Sequence, residues 1–376
     1  MSEASLSREA IELLEFSLGP KAKRGRGDPK ANRASSKLAK SAVGAAAMPA
    51  AALWSIFGNG SHQSRSSNAK ATLARTITKA PEAMVKVTGR QNGRSHVAAN
   101  FTYIARIGWG EDKELALLTS EGQTMTTLAE MNELAGQWHA WELQDDARRK
   151  GATSLSFILS MPEGTDADRL HAAARSFAED EMEGRRWVMG LHTDRDHPHV
   201  HLTVARRDLD GRRFHPGKED LFRYRLKFAE KLRAHGIEAN ATPRKARGLT
   251  RKALHTPIVQ MSKRGEDSRY AKRLQREAAV AARVGNASTP FDAEIRQQRI
   301  DVLEGYLQAG KELLASTDPN DRQLAAGLGG YTQKLPLIQT RAAQGLEIHM
   351  RQQQRQVSSD RELTGTKSNR IEGPKR

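Results

Sequence analysis

The chain has 376 residues, room for two or three compact units and for at least one core of ordinary size. It contains no cysteine, which excludes disulfides, thiolate metal sites and cysteine nucleophiles. Its 61 Lys and Arg outnumber 44 Asp and Glu, giving a net charge of +17 and a pI of about 10.2, so a polyanion is the expected partner: nucleic acid first, an anionic membrane surface second.

Residues 21–80 read as a basic tail, with twelve Lys and Arg against the single acid Asp28. The apolar stretch Ala42 to Phe57 holds Pro49 and falls short of the ~20 residues a membrane span needs, so no membrane insertion is expected. It also begins too late for an ordinary signal peptide, and the chain reads as cytoplasmic. Order is expected from about residue 81. Met84 to Val87 reads as a strand closed by Gly89, and His96 to Ile107 as a helix with Val97, Phe101 and Ile104 inward, stopped by Gly108. A strand is expected at Leu115 to Leu118, with a turn at Glu121-Gly122. Leu128, Met131, Leu134, Trp138 and Trp141 mark one face of the next helix.

Thr153 to Leu159 reads as a strand, Met161 to Gly164 as a turn, and Asp166 as the cap of a helix reaching about Met182. Strands follow at Arg186–His192 and His199–Ala205, then a helix from about Glu219 to His235. This mixed order with a tight strand–turn–strand unit predicts an α+β fold around a central antiparallel sheet. Beyond Thr242 the chain reads as basic and helical, as in Arg244-Lys245-Ala246-Arg247. From Asp292 it forms Ala-, Leu- and Gln-rich helices broken at Gly329-Gly330 and Pro336. The expected divisions are 1–80, 81–250, a basic helical region 251–355 and a polar tail 356–376.

The chemistry concentrates in residues 191–204, where four of the twelve histidines fall within ten residues. Strand alternation puts His199, His201 and Thr203 on one face and Val200, Leu202 and Val204 on the other. The preceding strand sorts likewise, with Trp187, Met189 and Leu191 opposite Val188, Gly190 and His192. Paired as a hairpin, the two strands bring His192, His199 and His201 to one point: three neutral imidazoles with positions left for water or substrate. A bare His-rich surface hairpin is the competing reading, and three convergent histidines over a clean apolar face weigh against it. Asp194 is placed to orient a ligand imidazole or to take a proton. His197 shares the face if the strand runs back through Pro198, and stands as an alternative ligand or proton carrier.

His192-Thr193-Asp194 followed by His199-Val200-His201 resembles the third motif of relaxases of the MobA/VirD-like kind, the mobilisation nucleases of conjugative and mobilisable plasmids within the HUH endonucleases. The resemblance covers roughly residues 80–250. Asn100 to Gly108 is similar to the segment carrying that family's nucleophilic tyrosine, Leu159-Ser160-Met161-Pro162 to its DNA-contacting serine motif, and Ala241 to Gly248 to a basic stretch of mobilisation proteins. The chain departs from the pattern at Ala205, where many relaxases carry Asn. The resemblance implies a central antiparallel sheet with helices on one side and a divalent cation, Mg2+ or Mn2+. It also implies nicking of single-stranded DNA at an origin of transfer. Relaxosome accessory proteins and a secretion coupling protein are the implied partners, with passage to a recipient cell on the bound strand.

Tyrosine suits such a reaction, because its phosphodiester keeps the energy of the broken bond and the step reverses. A phenol, with a pKa near about 10, must lose its proton as it attacks. Of Tyr103, Tyr224, Tyr270, Tyr306 and Tyr331, Tyr103 is the expected nucleophile, beside the apolar stripe of its helix, and Tyr224 the second choice. Without the resemblance, Tyr103 would read as an ordinary helix aromatic. Ser160, Arg106, Arg206, Arg207, Arg212 and Arg213 are candidate DNA contacts, though each alone reads as a turn residue or a solvated charge. Trp138 and Trp141 read as core rather than base-stacking residues. The other readings are a histidine-triad nucleotide hydrolase, from His197-Pro198-His199-Val200-His201, a non-catalytic DNA-binding relaxosome protein, and a rolling-circle replication initiator.

Overall fold

The computed structural model describes residues 62–110, 113–143, 151–194, 197–250, 256–284, 290–336 and 338. Most of the basic stretch 21–80, with the Ala42 to Phe57 segment, and the polar end 356–376 lie outside them. The chain divides into two compact units, residues 72–242 and residues 1–71 with 243–376.

The unit 72–242 is built on a six-stranded sheet. Its strands are β1 (Met84–Gln91), β2 (Leu117–Thr119), β3 (Thr124–Met125), β4 (Ser154–Ser160), β5 (Trp187–His192) and β6 (His199–Ala205). They lie in the order β1-β4-β6-β5-β2-β3, every pair antiparallel. The short strands β2 and β3, the latter at the edge, form a hairpin that turns at Gly122, whose φ of +78° favours glycine. β6, flanked by β4 and β5, is buried along its whole length.

The helix α1 (His62–Ile77) falls where composition predicts a tail. Its Ala69, Leu73 and Thr76 are buried at spacings of four and three, a stripe that averaging over 21–80 conceals. Thr76 bonds Asn240 and Thr242 at the far end of the unit.

Helices cover both faces of the sheet, not one. On one side α4 (Ala167–Glu181) and α5 (Lys218–Ala234) meet Leu155, Phe157, Leu159, Trp187, Met189, Val200, Leu202 and Val204. Asp166 caps α4 by accepting from the Arg169 N–H. On the other, α2 (Gly93–Ala105) and α3 (Leu128–Leu143) close a smaller core of Val97, Phe101, Ile104, Met131, Trp138, Val188 and Ala205. The histidine face thus has an apolar half needing cover, and Ala205 belongs to it.

Other differences are local. β1 continues past Gly89 through a bulge. α2 starts at Gly93 and is capped by Arg106, before Gly108. The buried stripe of α3 is Met131, Ala135, Trp138 and Glu142, while Leu128 is exposed.

In the other unit α6 (Thr256–Lys263) and α7 (Arg269–Val284) precede a packed pair, α8 (Pro290–Leu314) and α9 (Pro319–Gln333). Gly329 and Gly330 lie inside α9 rather than ending it, and the break falls at Ser316 to Asp318. Residues 243–250 form turns, not a helix, held by hydroxyl bonds from Tyr306 to the Ala246 carbonyl (2.6 Å) and from Tyr331 to that of Arg247 (2.9 Å).

Candidate metal centre

β5 and β6 pair with His192 opposite His199 and Gly190 opposite His201. All three histidines are buried, and one ligand atom from each lies within 4.8 Å of the other two. Their protons follow from their partners. His199 Nδ1 lies 3.1 Å from the His197 carbonyl, an acceptor, so Nδ1 carries the hydrogen and Nε2 keeps its lone pair. His192 Nε2 lies 2.8 Å from the Ile104 carbonyl and must donate, leaving Nδ1 as the lone pair. Burial, the largest effect, pushes His192 down to about 4, the nearby Arg106 charge adds to this, and the bond to Ile104 opposes it. At neutral pH the imidazole is an uncharged donor, as a metal ligand must be.

A three-imidazole set in which the His192 and His199 N–H groups bond carbonyls fits a divalent cation. Nitrogen donors suit Mn2+ better than Mg2+, which prefers oxygen. His197 is exposed and outside the convergent set, contributing its carbonyl alone. That counts against the nucleotide-hydrolase reading, which needs His197 in the triad.

Tyr103 lies on the last turn of α2. Its ring is 50% exposed, centred 5.8 Å from the His201 ring and edge-on to it, with Trp109 at 6.4 Å. The rest of α2 is fixed beneath it. Asn100 Oδ1 accepts from Thr203 (2.7 Å) and Ser156 (3.3 Å) on the sheet, and Phe101 meets Trp138 edge-on at 5.2 Å. Tyr224 lies on the other face of the sheet, buried among Phe157 and Phe177, and burial raises its pKa. It is neither near the histidines nor suited to deprotonation.

The remaining candidates separate. Arg106 is buried, with its guanidinium 3.0 Å from His192 Nδ1 and 2.5 Å from the Asp194 carboxylate. Asp194 therefore reaches His192 through Arg106. Its own burial would raise its pKa, but the Arg106 bond and charge win and lower it. Ser160 sits in register with His199, its hydroxyl 3.4 Å from the Met161 carbonyl. Arg206, Arg207, Arg212 and Arg213 follow the opposite end of β6, about 16 Å of strand from His201 to Arg206. There Arg206 meets His215 and Arg213 pairs with the buried Glu142. Trp138 is core, and Trp141 donates to the Asp208 carbonyl. Sequence reasoning missed Asn100, the Ile104 carbonyl and the inward course of Arg106. The polar Asn100 facing an otherwise apolar stripe is the one signal that was available.

Residues 103–237 match the model of the relaxase family described as MobA/VirD2-like, nuclease domain. Over these residues the chain is similar to the nuclease domain of MobA/VirD2-like relaxases. The match starts at Tyr103 and takes in all three histidines. Among similar proteins are T-DNA border endonucleases VirD2. That of Agrobacterium fabrum (strain C58) is 32% identical over 168 residues, 40% of this chain and 36% of the relative. Those of Rhizobium radiobacter and Rhizobium rhizogenes are 32% and 33% identical, over 47% and 32% of this chain and 42% and 31% of theirs. The chain thus spans less than half the length of these curated relatives. No solved structure matches. Among the described residues no helix is long and apolar enough to cross a membrane.

Proposed function

We propose that the chain is a relaxase that nicks one strand of DNA at an origin of transfer and later rejoins it. The observation carrying this reading is the half-exposed Tyr103 ring 5.8 Å from His201, at the edge of a buried histidine triad. Tyr103 is the nucleophile. Its phenol oxygen bonds to the scissile phosphorus as the bond to the 3′ oxygen breaks; the phenolic proton passes to solvent and the leaving 3′ oxygen takes one from solvent. The strand is left with a 3′ hydroxyl and a 5′-phosphotyrosyl link, and the reverse reaction reseals it.

His192, His199 and His201 hold a divalent ion, Mn2+ or Mg2+, which when bound polarises the phosphate and stabilises its developing charge. Asp194 anchors Arg106 rather than serving as the base, because a carboxylate held below its usual range accepts protons poorly. Trp109 beside Tyr103 offers a stacking surface for a base near the nick. Arg212, exposed after β6, contacts the DNA backbone further along. The VirD2 relatives are named for cutting a DNA border, which supports a defined nick site here. Relaxosome accessory proteins, a coupling protein and transfer from the cytoplasm on the nicked strand complete the reading.

Incubating the chain with Mn2+ and an end-labelled single-stranded origin oligonucleotide, then denaturing it, should yield a covalent adduct on the peptide containing Tyr103. Tyr103→Phe should lower adduct formation at least a thousandfold while DNA binding persists. An adduct on Tyr224, or none with metal present, would overturn the assignment.

A further inference from the structure

Arg106 is unusual in both backbone and side chain. It caps α2 at φ 57° and ψ 27°, the left-handed region where glycine is favoured over a bulky residue. Among the described residues Lys79 is the one other non-glycine with positive φ. The Arg106 side chain is buried between His192 and Asp194, its guanidinium carbon 5.1 Å from the Trp109 ring centre. Such backbone strain is tolerated where the side chain has work at the site.

That work follows from hydrogen-bond chemistry. The Ile104 carbonyl accepts, so His192 Nε2 carries the hydrogen. The guanidinium donates, so Nδ1 turns its lone pair to Arg106. A neutral imidazole has one such lone pair, and a metal ion ligated by His192 needs the same one. An arginine stays charged, so it cannot yield the place by losing a proton. It can yield by moving, and the partly exposed Asp194 carboxylate is a partner it keeps as it moves.

On the reading that the triad holds a divalent cation, we propose that Arg106 is a cationic stopper. It sits on the metal-binding lone pair of His192 in the metal-free protein and is displaced, still paired with Asp194, when the ion enters. Arg106 then holds metal affinity below what three histidines alone supply. It also keeps His192 turned into the site while no ion is bound. It is a positioning residue, acting through His192, rather than a contact to DNA.

Calorimetric titration of MnCl2 into the whole metal-stripped chain tests this. Arg106→Gly removes the guanidinium and places the favoured residue at a left-handed cap, so the variant is expected to fold, which its thermal melt would report. Its Mn2+ dissociation constant should fall about tenfold, or about 1.4 kcal/mol. An unchanged or weaker affinity overturns the stopper while leaving the metal site intact, provided that His199→Gln abolishes Mn2+ binding to the wild type. Mn2+ binding that is absent, or indifferent to His199→Gln, overturns the metal reading and the stopper with it. Long-range 1H–15N spectra of the metal-free wild type give a check independent of that variant's folding. They should contain one histidine protonated at Nε2 with a hydrogen-bonded Nδ1, assigned to His192 by its loss in His192→Gln. The opposite tautomer at His192 overturns the proposal.

Discussion

Two tyrosines and one histidine show how environment decides the chemistry of a side chain. Tyr103 and Tyr224 are both helix residues followed by an arginine, one three positions on and one immediately. Tyr103 stands half-exposed beside a triad that can gather positive charge, whereas Tyr224 is 3% exposed and packed among aromatic rings. Replacing Tyr224 should therefore act on stability: Tyr224→Ala is expected to cost about 3–5 kcal/mol, measured by urea unfolding, while Tyr224→Phe keeps adduct formation. His192 carries a pH signature in the metal-free protein. Its folded value of about 4 lies below the ordinary 6.5, so the unfolded chain takes up the proton first as the pH falls. The stability it contributes is present above pH 6.5 and lost between there and about 4, amounting to about 3 kcal/mol at the lower end. In chelator, His192→Asn should lose less stability between pH 7 and pH 4.5 than the wild type, as read from urea midpoints. Equal losses would mean that burial does not hold His192 neutral.

At the scale of elements, the site exists because α2 comes down onto β5 at Gly190. A Cβ there would lie 2.8 Å from Leu117 Cδ2 and 3.3 Å from the Ile104 carbonyl oxygen, the oxygen that accepts from His192. Gly190→Ala should thus be overpacked, losing about 1–3 kcal/mol of stability. By lifting the end of α2 it should also slow adduct formation more than it weakens DNA binding, as single-turnover kinetics against anisotropy would measure. A variant with wild-type kinetics would show that the approach of α2 is not needed. The same element marks the limit of what can be read from sequence. The period of two in β5 and β6 gave the hairpin, its register and the three convergent histidines, because alternation is local and each face has one chemistry. The partners of His192 were not legible, since Ile104 and Arg106 meet it only after the chain has crossed the sheet and returned. Tyr103 had a local reading as an ordinary helix aromatic, and the motif resemblance was needed to prefer it. In α9, packing against α8 overrides the low helix propensity of Gly329 and Gly330, which the sequence alone presents as a break.

For the whole molecule the charge is divided unevenly. Residues 72–242 hold 25 Lys and Arg against 25 Asp and Glu, so the net +17 belongs entirely to the flanking sequence. The unit that carries the triad and Tyr103 is electrically balanced, with arginines such as Arg106, Arg185 and Arg213 paired to carboxylates. On the proposed function, neutralising phosphates and releasing their counterions is chiefly a task for the flanks, whereas placing one phosphate at Tyr103 is a task for the unit. Both apolar cores around the sheet lie within 72–242, so a fragment of residues 62–242, which keeps α1 whole, is expected to unfold in one cooperative transition. That fragment should still form the Tyr103 adduct at high oligonucleotide concentration. Its affinity for single-stranded DNA should respond weakly to salt. If about six flanking cations engage the strand, the slope of log affinity against log salt should be steeper in the whole chain by about 4. Fluorescence anisotropy between 50 and 200 mM NaCl, concentrations in the range where such slopes are read, measures both slopes directly. Equal slopes would place the electrostatic grip within 62–242 and assign the remaining flanking charge to something other than DNA.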